Sequence, residues 1–545
     1  MSGNDLKCSF CSILGVQAIL SACICVVPVV TAAQTAAPPR PVIKSKAELV
    51  LVPAYVTRER QAVRGLKASD FELLHEGKPE KISVFDEIEE GTDAGQPVQA
   101  APQTVTNYRT VEARKTATIL LLDFLDMSAL GWDRVHAKLT DVARVFVEEE
   151  TPVVVLALSW NGLVEIMPLS ADGTELVEGA ERWKAMHNRQ VPSGSLSSLS
   201  KTVGGSDGIA RMLAMYGVTP DHAPADVIDK KTQEFNKYTM ILAAIEEIAQ
   251  AYGGLPERKK LIWISSDIPK YIRQADGKRT WGDRPMMNQQ MLALKALTDA
   301  NIAVYPVVAN QLVATGGYDS CGAPISPDFY FVYETGGSVC DDAPQDCVKR
   351  ALGDAKHYYL LGFYLHGRTK PGWHNLKVKV DRPNTNVRAK GAFIAGIQPG
   401  QNGILETETQ FLEAALKSPL DYTGLPLSLR WSAIGVEQQD RKIELIVRSP
   451  RGAIATDGEP PSLNLKVVTY VVPQSGGKAQ TFEANVTGDL TPDQQNELLS
   501  AGFLYRRTLV LLPGTYVIRV LVQDRVTNLT GTISATVDLT SDQER

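Results

Sequence analysis

Clustered positive charge is missing from this chain. Its 56 Lys and Arg stand against 62 Asp and Glu for a net charge of −6, and no stretch concentrates basic residues. Neutralising a phosphate backbone needs such a surface, so nucleic acid is excluded as an expected partner. Catalytic signatures are also scarce. No H-E-x-x-H pair or phosphate-binding loop is present. Gly204-Gly205-Ser206-Asp207-Gly208 lacks a lysine and follows no strand pattern, so it reads as a flexible loop rather than a nucleophile elbow or a phosphate cradle. Histidine is rare, and His357, His366 and His374 are spread along strand-like segments without ligand spacing, which makes them packing positions.

Cysteine is thin as well. Of seven, Cys8, Cys11, Cys23 and Cys25 fall in the N-terminal apolar segment, leaving Cys321, Cys340 and Cys347. Cys340 and Cys347 are close enough to close a small disulfide loop, which leaves Cys321 odd. Three cysteines without a C-x-x-C pair argue against a metal cluster.

The N-terminus itself has the layout of a secretory signal: Lys7, an apolar run from Phe10 to Val30, then Thr31-Ala32-Ala33 before a Pro/Ala-rich tail. Cleavage after Ala33 leaves a secreted or periplasmic mature chain with no stable transmembrane span. Leu20-Ser21-Ala22-Cys23 offers a competing arrangement, a lipoprotein anchored at Cys23, and an uncleaved anchor is a third. All three put the remainder outside the cytoplasm, where a disulfide is stable.

What is abundant is apolar periodicity. Thr116 to Leu122 is an unbroken apolar run that ends in Asp123, Asp126 and Ser128, as a buried central strand ends in a functional loop. Val135, Leu139, Val142 and Phe146 follow at helical spacing. Val153 to Leu158 reads as the next strand, joined through Asn161-Gly162 to Leu163 to Leu169. Glu175 to Met186 is a helix, and Ile241, Ala244, Ile245, Ile248, Ala249 and Tyr252 form one helix face. Leu261 to Ile264 and Ile302 to Val308 are strands flanking a helix marked by Met291, Leu294 and Leu297. Strands and helices that alternate at these lengths predict a doubly wound α/β sheet.

Both flanks are β. Ala47 to Thr57, Phe71 to Leu74 and Lys81 to Phe85 precede the α/β region; Tyr358 to Leu365, Leu376 to Val380 and Val387 to Phe393 follow it. Three strands make too small a core alone, so one sandwich built from both flanks is expected. Strand-like segments recur from Leu427 to Val537, and residues 398–424 form a connector with a short helix around Phe411 to Leu416.

Several of these stretches, in this order, resemble the von Willebrand factor A domain, and more closely the bacterial secreted VWFA-related domain proteins. They are the Asp123 run, Leu261-Ile262-Trp263-Ile264-Ser265-Ser266-Asp267, Ala300 to Val307, Glu334-Thr335-Gly336-Gly337 and Tyr358 to Tyr364, with Leu66 to Pro79 upstream. The resemblance covers about residues 44 to 397. It implies a Rossmann-like von Willebrand A domain inserted in a β-sandwich, and a following immunoglobulin/fibronectin-like β domain completes an α/β plus β chain. It also implies a divalent cation, Mg²⁺, held by oxygen ligands at the sheet's carboxyl edge. Asp123, Asp126, Ser128 and Asp267 are the candidate ligands and the candidate partner-binding edge, with Thr202 or Ser206 as a distant hydroxyl. Leu125 and Met127 stand where the family has serines, so the metal site is degenerate.

The expected organisation is a signal peptide at 1–33, a linker at 34–43, sandwich halves at 44–90 and 351–397, a linker at 91–114, the A-like domain at 115–350, a linker at 398–424 and a C-terminal β domain at 425–545. The expected function is non-enzymatic binding of a protein ligand in the bacterial envelope. The rival is a secreted hydrolase that uses carboxylates of the same edge.

Overall fold

The computed structural model describes residues 49–59, 61–89, 104–107, 117–125, 129–170, 172–187, 225–255, 258–265, 285–308, 330–339, 343–365, 369–395, 408–437 and 440–540. The expected signal segment, the Gly204 to Gly208 loop, Thr202, Asp126, Ser128, Asp267, Cys321, Cys340 and His366 lie outside them.

The described residues are rich in β-structure, organised as five sheets. The middle one runs in the order Ile302–Val308, Lys259–Ser265, Thr118–Asp123, Val153–Ser159 and Gly162–Ser170. Its first four strands are parallel and the last is an antiparallel edge. Every residue of Thr118–Asp123, Val153–Ser159 and Lys259–Ser265 is buried. Such unalternating apolar runs are stable only with both faces covered. Ile119, Leu121, Trp263 and Val304 face the helices Ala225–Tyr252 and Pro285–Asp299. Leu120, Leu122, Ile264 and Val307 face Ala129–Glu148, Gly173–His187 and Pro344–Lys356. Gly162, at φ 102, closes the turn of the edge hairpin, a conformation open to glycine.

Strands from both sides of this region pair with each other. Leu49–Arg58 lies between His357–Tyr364 and Asn386–Ala389, and His357–Tyr364 also takes Val84–Glu89. A second sheet runs Ala392–Ala395, Gly372–Val380, Phe71–His75 and Lys78–Glu80. The two share one core, in which Val52, Tyr359, Leu361 and Phe363 meet Leu73, Leu376 and Phe393. The backbone N–H of Leu66 donates to the Tyr359 hydroxyl, 293 positions away, at 3.1 Å.

A buried polar cluster fastens the parallel sheet to these strands. Arg258, 2% exposed, donates to the carbonyls of Thr335 at 2.7 Å and Gly336 at 3.3 Å. Arg388 donates from Nε to the same Gly336 carbonyl at 3.3 Å and pairs with Asp354. Both guanidinium groups lie over the Tyr55 ring, at 5.1 and 4.9 Å from its centroid. Burial pushes the Asp354 carboxyl up, against the pull of Arg388.

Two four-stranded antiparallel sheets follow, one containing Ser428–Glu437, Asp440–Ser449 and Phe503–Leu511, the other Ser462–Pro473, Gln480–Asp489, Thr515–Asp524 and Leu529–Asp538. Leu429, Leu445 and Leu509 of the first and Val467, Val520 and Ile533 of the second belong to one core. The fourth strand of the first sheet corrects an expectation. Thr104–Thr106, inside the expected linker 91–114, pairs with Ser428 to Arg430. Asn107 secures it, donating from Nδ2 to the carbonyls of Tyr422 at 2.7 Å and Leu425 at 2.8 Å and accepting from Leu427 N–H at 2.6 Å. An edge strand of three residues needs no periodicity of its own when a partner strand supplies the ladder.

Other boundaries also move. The expected break between residues 350 and 351 falls within the helix Pro344–Lys356, and the strand expected from Lys81 to Phe85 resolves into Lys78–Glu80 and Val84–Glu89. The connector does carry a helix, Glu408–Lys417. Pro492–Ala501 is a helix that strand counting missed, although Thr491 and Gln494 form a capping box at its start.

The helix Ala225–Tyr252 meets the connector through adjacent acids. Glu247 accepts from the Ser418 hydroxyl, and burial alone pushes the Glu246 carboxyl up to about 8. The folded state therefore keeps a proton on Glu246 that the unfolded chain releases above its ordinary value of 4.5. Stability contributed below that value is lost as pH rises toward 8. Glu246→Gln should flatten this slope. In urea unfolding the variant should gain on the parent between pH 5 and pH 8.5, by on the order of 3 kcal/mol; a gap independent of pH would refute the assignment.

Candidate functional site

The carboxyl ends of the parallel strands meet where the chain order reverses, between Thr118–Asp123 and Lys259–Ser265. Ligands of open α/β sheets collect at this point. The strand ladder runs Leu121 beside Trp263 and Leu122 beside Ile264, which brings Asp123 next to Ser265. Asp123 is 2% exposed. Its Oδ2 accepts from the Ser265 hydroxyl at 3.1 Å and from the Trp263 indole N–H at 3.2 Å, and its Oδ1 accepts from the Leu125 N–H at 3.1 Å.

Three protein donors thus engage both oxygens of a buried carboxylate. Hydrogen bonds to a charged acceptor are the strong ones, and they fix the turn that leaves the strand. Phe124 N–H continues the ladder to the Leu158 carbonyl at 2.8 Å, and Leu125 turns into the apolar core at 5% exposure. Asp123 is the anchor of the edge and not part of its open face.

The described residues here do not fit a hard cation. The Leu125 side chain offers no oxygen and is buried, and Asp123 already serves three donors. Mg²⁺ needs several oxygen ligands in near-octahedral array. Asp126, Ser128 and Asp267, the other expected ligands, are outside the described residues. Ser265 was the residue that sequence matching passed over. The run Ser265-Ser266-Asp267 points to its acid, whereas Ser265, the last residue of the strand, is the one whose hydroxyl reaches Asp123.

Cys347 is buried and disulfide-bonded, with its partner outside the described residues. His357 contacts the Glu87 carboxylate from Nε2 at 2.7 Å and packs edge-on against Tyr359. Burial disfavours the Glu87 charge, but bonds from Gly65 N–H, His357 and Tyr359 outweigh it and hold the carboxyl below its usual range. His374 is different: it meets His75 across two strands, with Glu76 beside them. Among the described residues, no helix is long and apolar enough to cross a membrane.

No protein-family model and no curated protein matches the sequence. Among solved structures, the TFIIH p34 N-terminal domain is 13% identical over 44% of this chain and 96% of that one, with a TM-score of 0.23. A Bacteroides uniformis β-glucuronidase is 9% identical over 33% of this chain and 19% of that one, with a TM-score of 0.16. The B. uniformis β-glucuronidase 2 bound to cyclophellitol-6-carboxylate aziridine is 14% identical over 20% of this chain, with a TM-score of 0.14; the chain spans 13% of its length. Scores this low carry no argument for fold or activity.

Proposed function

We propose that this is an exported, non-enzymatic protein-binding chain of the von Willebrand A type. In this reading a Rossmann-like A domain is inserted in a β-sandwich and followed by an immunoglobulin/fibronectin-like β domain. The protein ligand docks on the carboxyl edge around Asp123 to Ser128 and Asp267, with Asp123 holding the edge in shape. The observation that carries the reading is the strand order, which sets the Asp123 and Ser265 ends side by side at the reversal point. Pairing of Leu49–Arg58 with His357–Tyr364 across the α/β region supports the insertion. The disulfide at Cys347 supports an oxidising compartment outside the cytoplasm.

The test is retention of an envelope protein on the immobilised full chain, followed by its purification and a measured affinity for the pair. The triple substitution Asp126→Ala, Ser128→Ala and Asp267→Ala should weaken that affinity at least tenfold while leaving the unfolding midpoint unchanged. Equal binding by the triple variant would overturn the proposed edge. Turnover of glycoside or ester substrates, lost in the same variant, would establish the hydrolase instead.

A further inference from the structure

We infer that the flanking β layers hold a divalent transition metal, Zn²⁺ in class, on His75, His374 and Glu76. Phe71–His75 and Lys78–Glu80 are joined by the two-residue turn Glu76-Gly77, with φ of 50 and 76. Asn-Gly and Asp-Gly are the usual sequences for such a turn; glutamate at its first position adopts a conformation that costs a residue with a Cβ. Residues kept in this region despite the cost cluster at ligand sites. Here the conformation brings the Glu76 carboxylate across to Gly372–Val380, where its Oε1 accepts from the Asn375 backbone and side-chain amides.

Opposite it, His75 Nε2 and His374 Nδ1 are 3.0 Å apart, and one ligand atom from each of His75, His374 and Glu76 lies within 4.8 Å of the others. Metal–nitrogen bonds of about 2.0–2.1 Å, meeting at an angle between a right angle and the tetrahedral value, span roughly 2.9–3.4 Å between nitrogens. The observed separation falls in that interval.

The outer ring nitrogens make the stronger case. His374 Nε2 faces the Lys370 carbonyl at 2.7 Å, and His75 Nδ1 faces the Glu80 carboxylate at 3.4 Å. The Lys370 carbonyl only accepts, so His374 Nε2 carries its hydrogen and His374 Nδ1 presents a lone pair toward His75. A metal ion bound to both nitrogens would take the place of a His75 Nε2–H hydrogen bond to His374 Nδ1 across this 3.0 Å gap. A carbonyl and a carboxylate behind two imidazoles are the outer partners that orient metal-bound histidines. Phe393 stacks on His374 at 5.0 Å and lies 5.4 Å from His75, fixing the ring planes. His374 is buried, His75 half-buried and Glu76 exposed, so the cluster opens on one side. Two imidazoles and one carboxylate favour Zn²⁺ or Cu²⁺ over Mg²⁺, and three protein ligands leave a position for water.

The test uses the full chain, stripped with chelator and titrated with ZnCl₂ by calorimetry and with CuCl₂ by electron paramagnetic resonance. One equivalent should bind, and the Cu²⁺ spectrum should show coupling to two imidazole nitrogens. His75→Gln and Glu76→Gln should each weaken Zn²⁺ binding at least tenfold, and Glu80→Gln, which removes only the outer partner of His75, about tenfold. Glu76→Gln alters an exposed side chain, so it remains informative if a histidine variant fails to fold. Absence of Zn²⁺ and Cu²⁺ binding by the folded parent would leave a hydrogen bond between the two histidines and overturn the assignment. Binding unchanged in both His75→Gln and Glu76→Gln would do the same, assigning the metal to other ligands.

Discussion

Asp123→Ala should destabilise the protein by about 3–5 kcal/mol, measured as a shift in the urea unfolding midpoint in metal-free buffer. The substitution removes the acceptor shared by the Trp263 indole N–H, the Ser265 hydroxyl and the Leu125 amide, all in buried surroundings. Each buried donor left without an acceptor costs roughly 1–3 kcal/mol, and the three share one site, so their sum is an upper bound. Asp123→Asn keeps the shape and one acceptor oxygen but turns its NH₂ against a donor, so it should cost about half as much. Trp263 fluorescence reports the change in Asp123→Ala, where the indole loses its partner. The experiment separates two roles for this acid. A carboxylate that served only as a metal ligand would be dispensable without metal, and an Asp123→Ala variant within 1 kcal/mol of the parent would show the anchor to be wrongly assigned.

The second large effect is expected at Gly337. A Cβ there would lie 1.9 Å from the Val304 carbonyl oxygen and 2.8 Å from the Val304 carbonyl carbon. These are backbone atoms of a strand of the parallel sheet, and they cannot swing aside as a side chain would. The neighbouring threonine sets the approach: the Val304 N–H donates to the Thr335 hydroxyl at 3.1 Å. Gly336, at φ 71, then turns its carbonyl toward Arg258 and Arg388. Glu334-Thr335-Gly336-Gly337 is therefore a seam between the sheet and the β layers, and each glycine has its own reason. Gly337→Ala should cost more than about 3 kcal/mol and reduce the yield of folded protein. Gly353→Ala is the control. It sits in the helix Pro344–Lys356 with nothing within 4 Å of the added methyl, so it should stabilise by roughly 0.5–1 kcal/mol. Matching effects at the two positions, read from unfolding midpoints, would remove the steric argument.

The run Thr118 to Leu122 and the face Ile241, Ala244, Ile245, Ile248 and Ala249 could be read directly, because burial on two faces or on one stripe is written in the local spacing of apolar residues. The site was legible only in outline. Asp123 ends its strand as the pattern implies, but whether its carboxylate faces solvent or an indole depends on the register of a strand more than a hundred residues later; the Trp263 contact spans 140 positions. Thr104–Thr106 carried no signal, since three residues show no period. Arg258, Lys259 and Lys260 look like a solvated charge run, yet all three are buried; the Arg258 guanidinium is satisfied by carbonyls supplied from Thr335 and Gly336.

By itself, then, the sequence determined the alternation of strands and helices, the β character of both flanks and the acid at the end of the central strand. Each of these is set by neighbours within a turn or two of chain. The tertiary structure alone decided that Asp123 is an anchor, that the glycine pair is a seam, and that His75 meets His374 from 299 positions away. The physical reason is one of range. Periodicity encodes how much of a residue is buried, whereas polar chemistry depends on which partner arrives, and that is fixed only when distant strands settle into register.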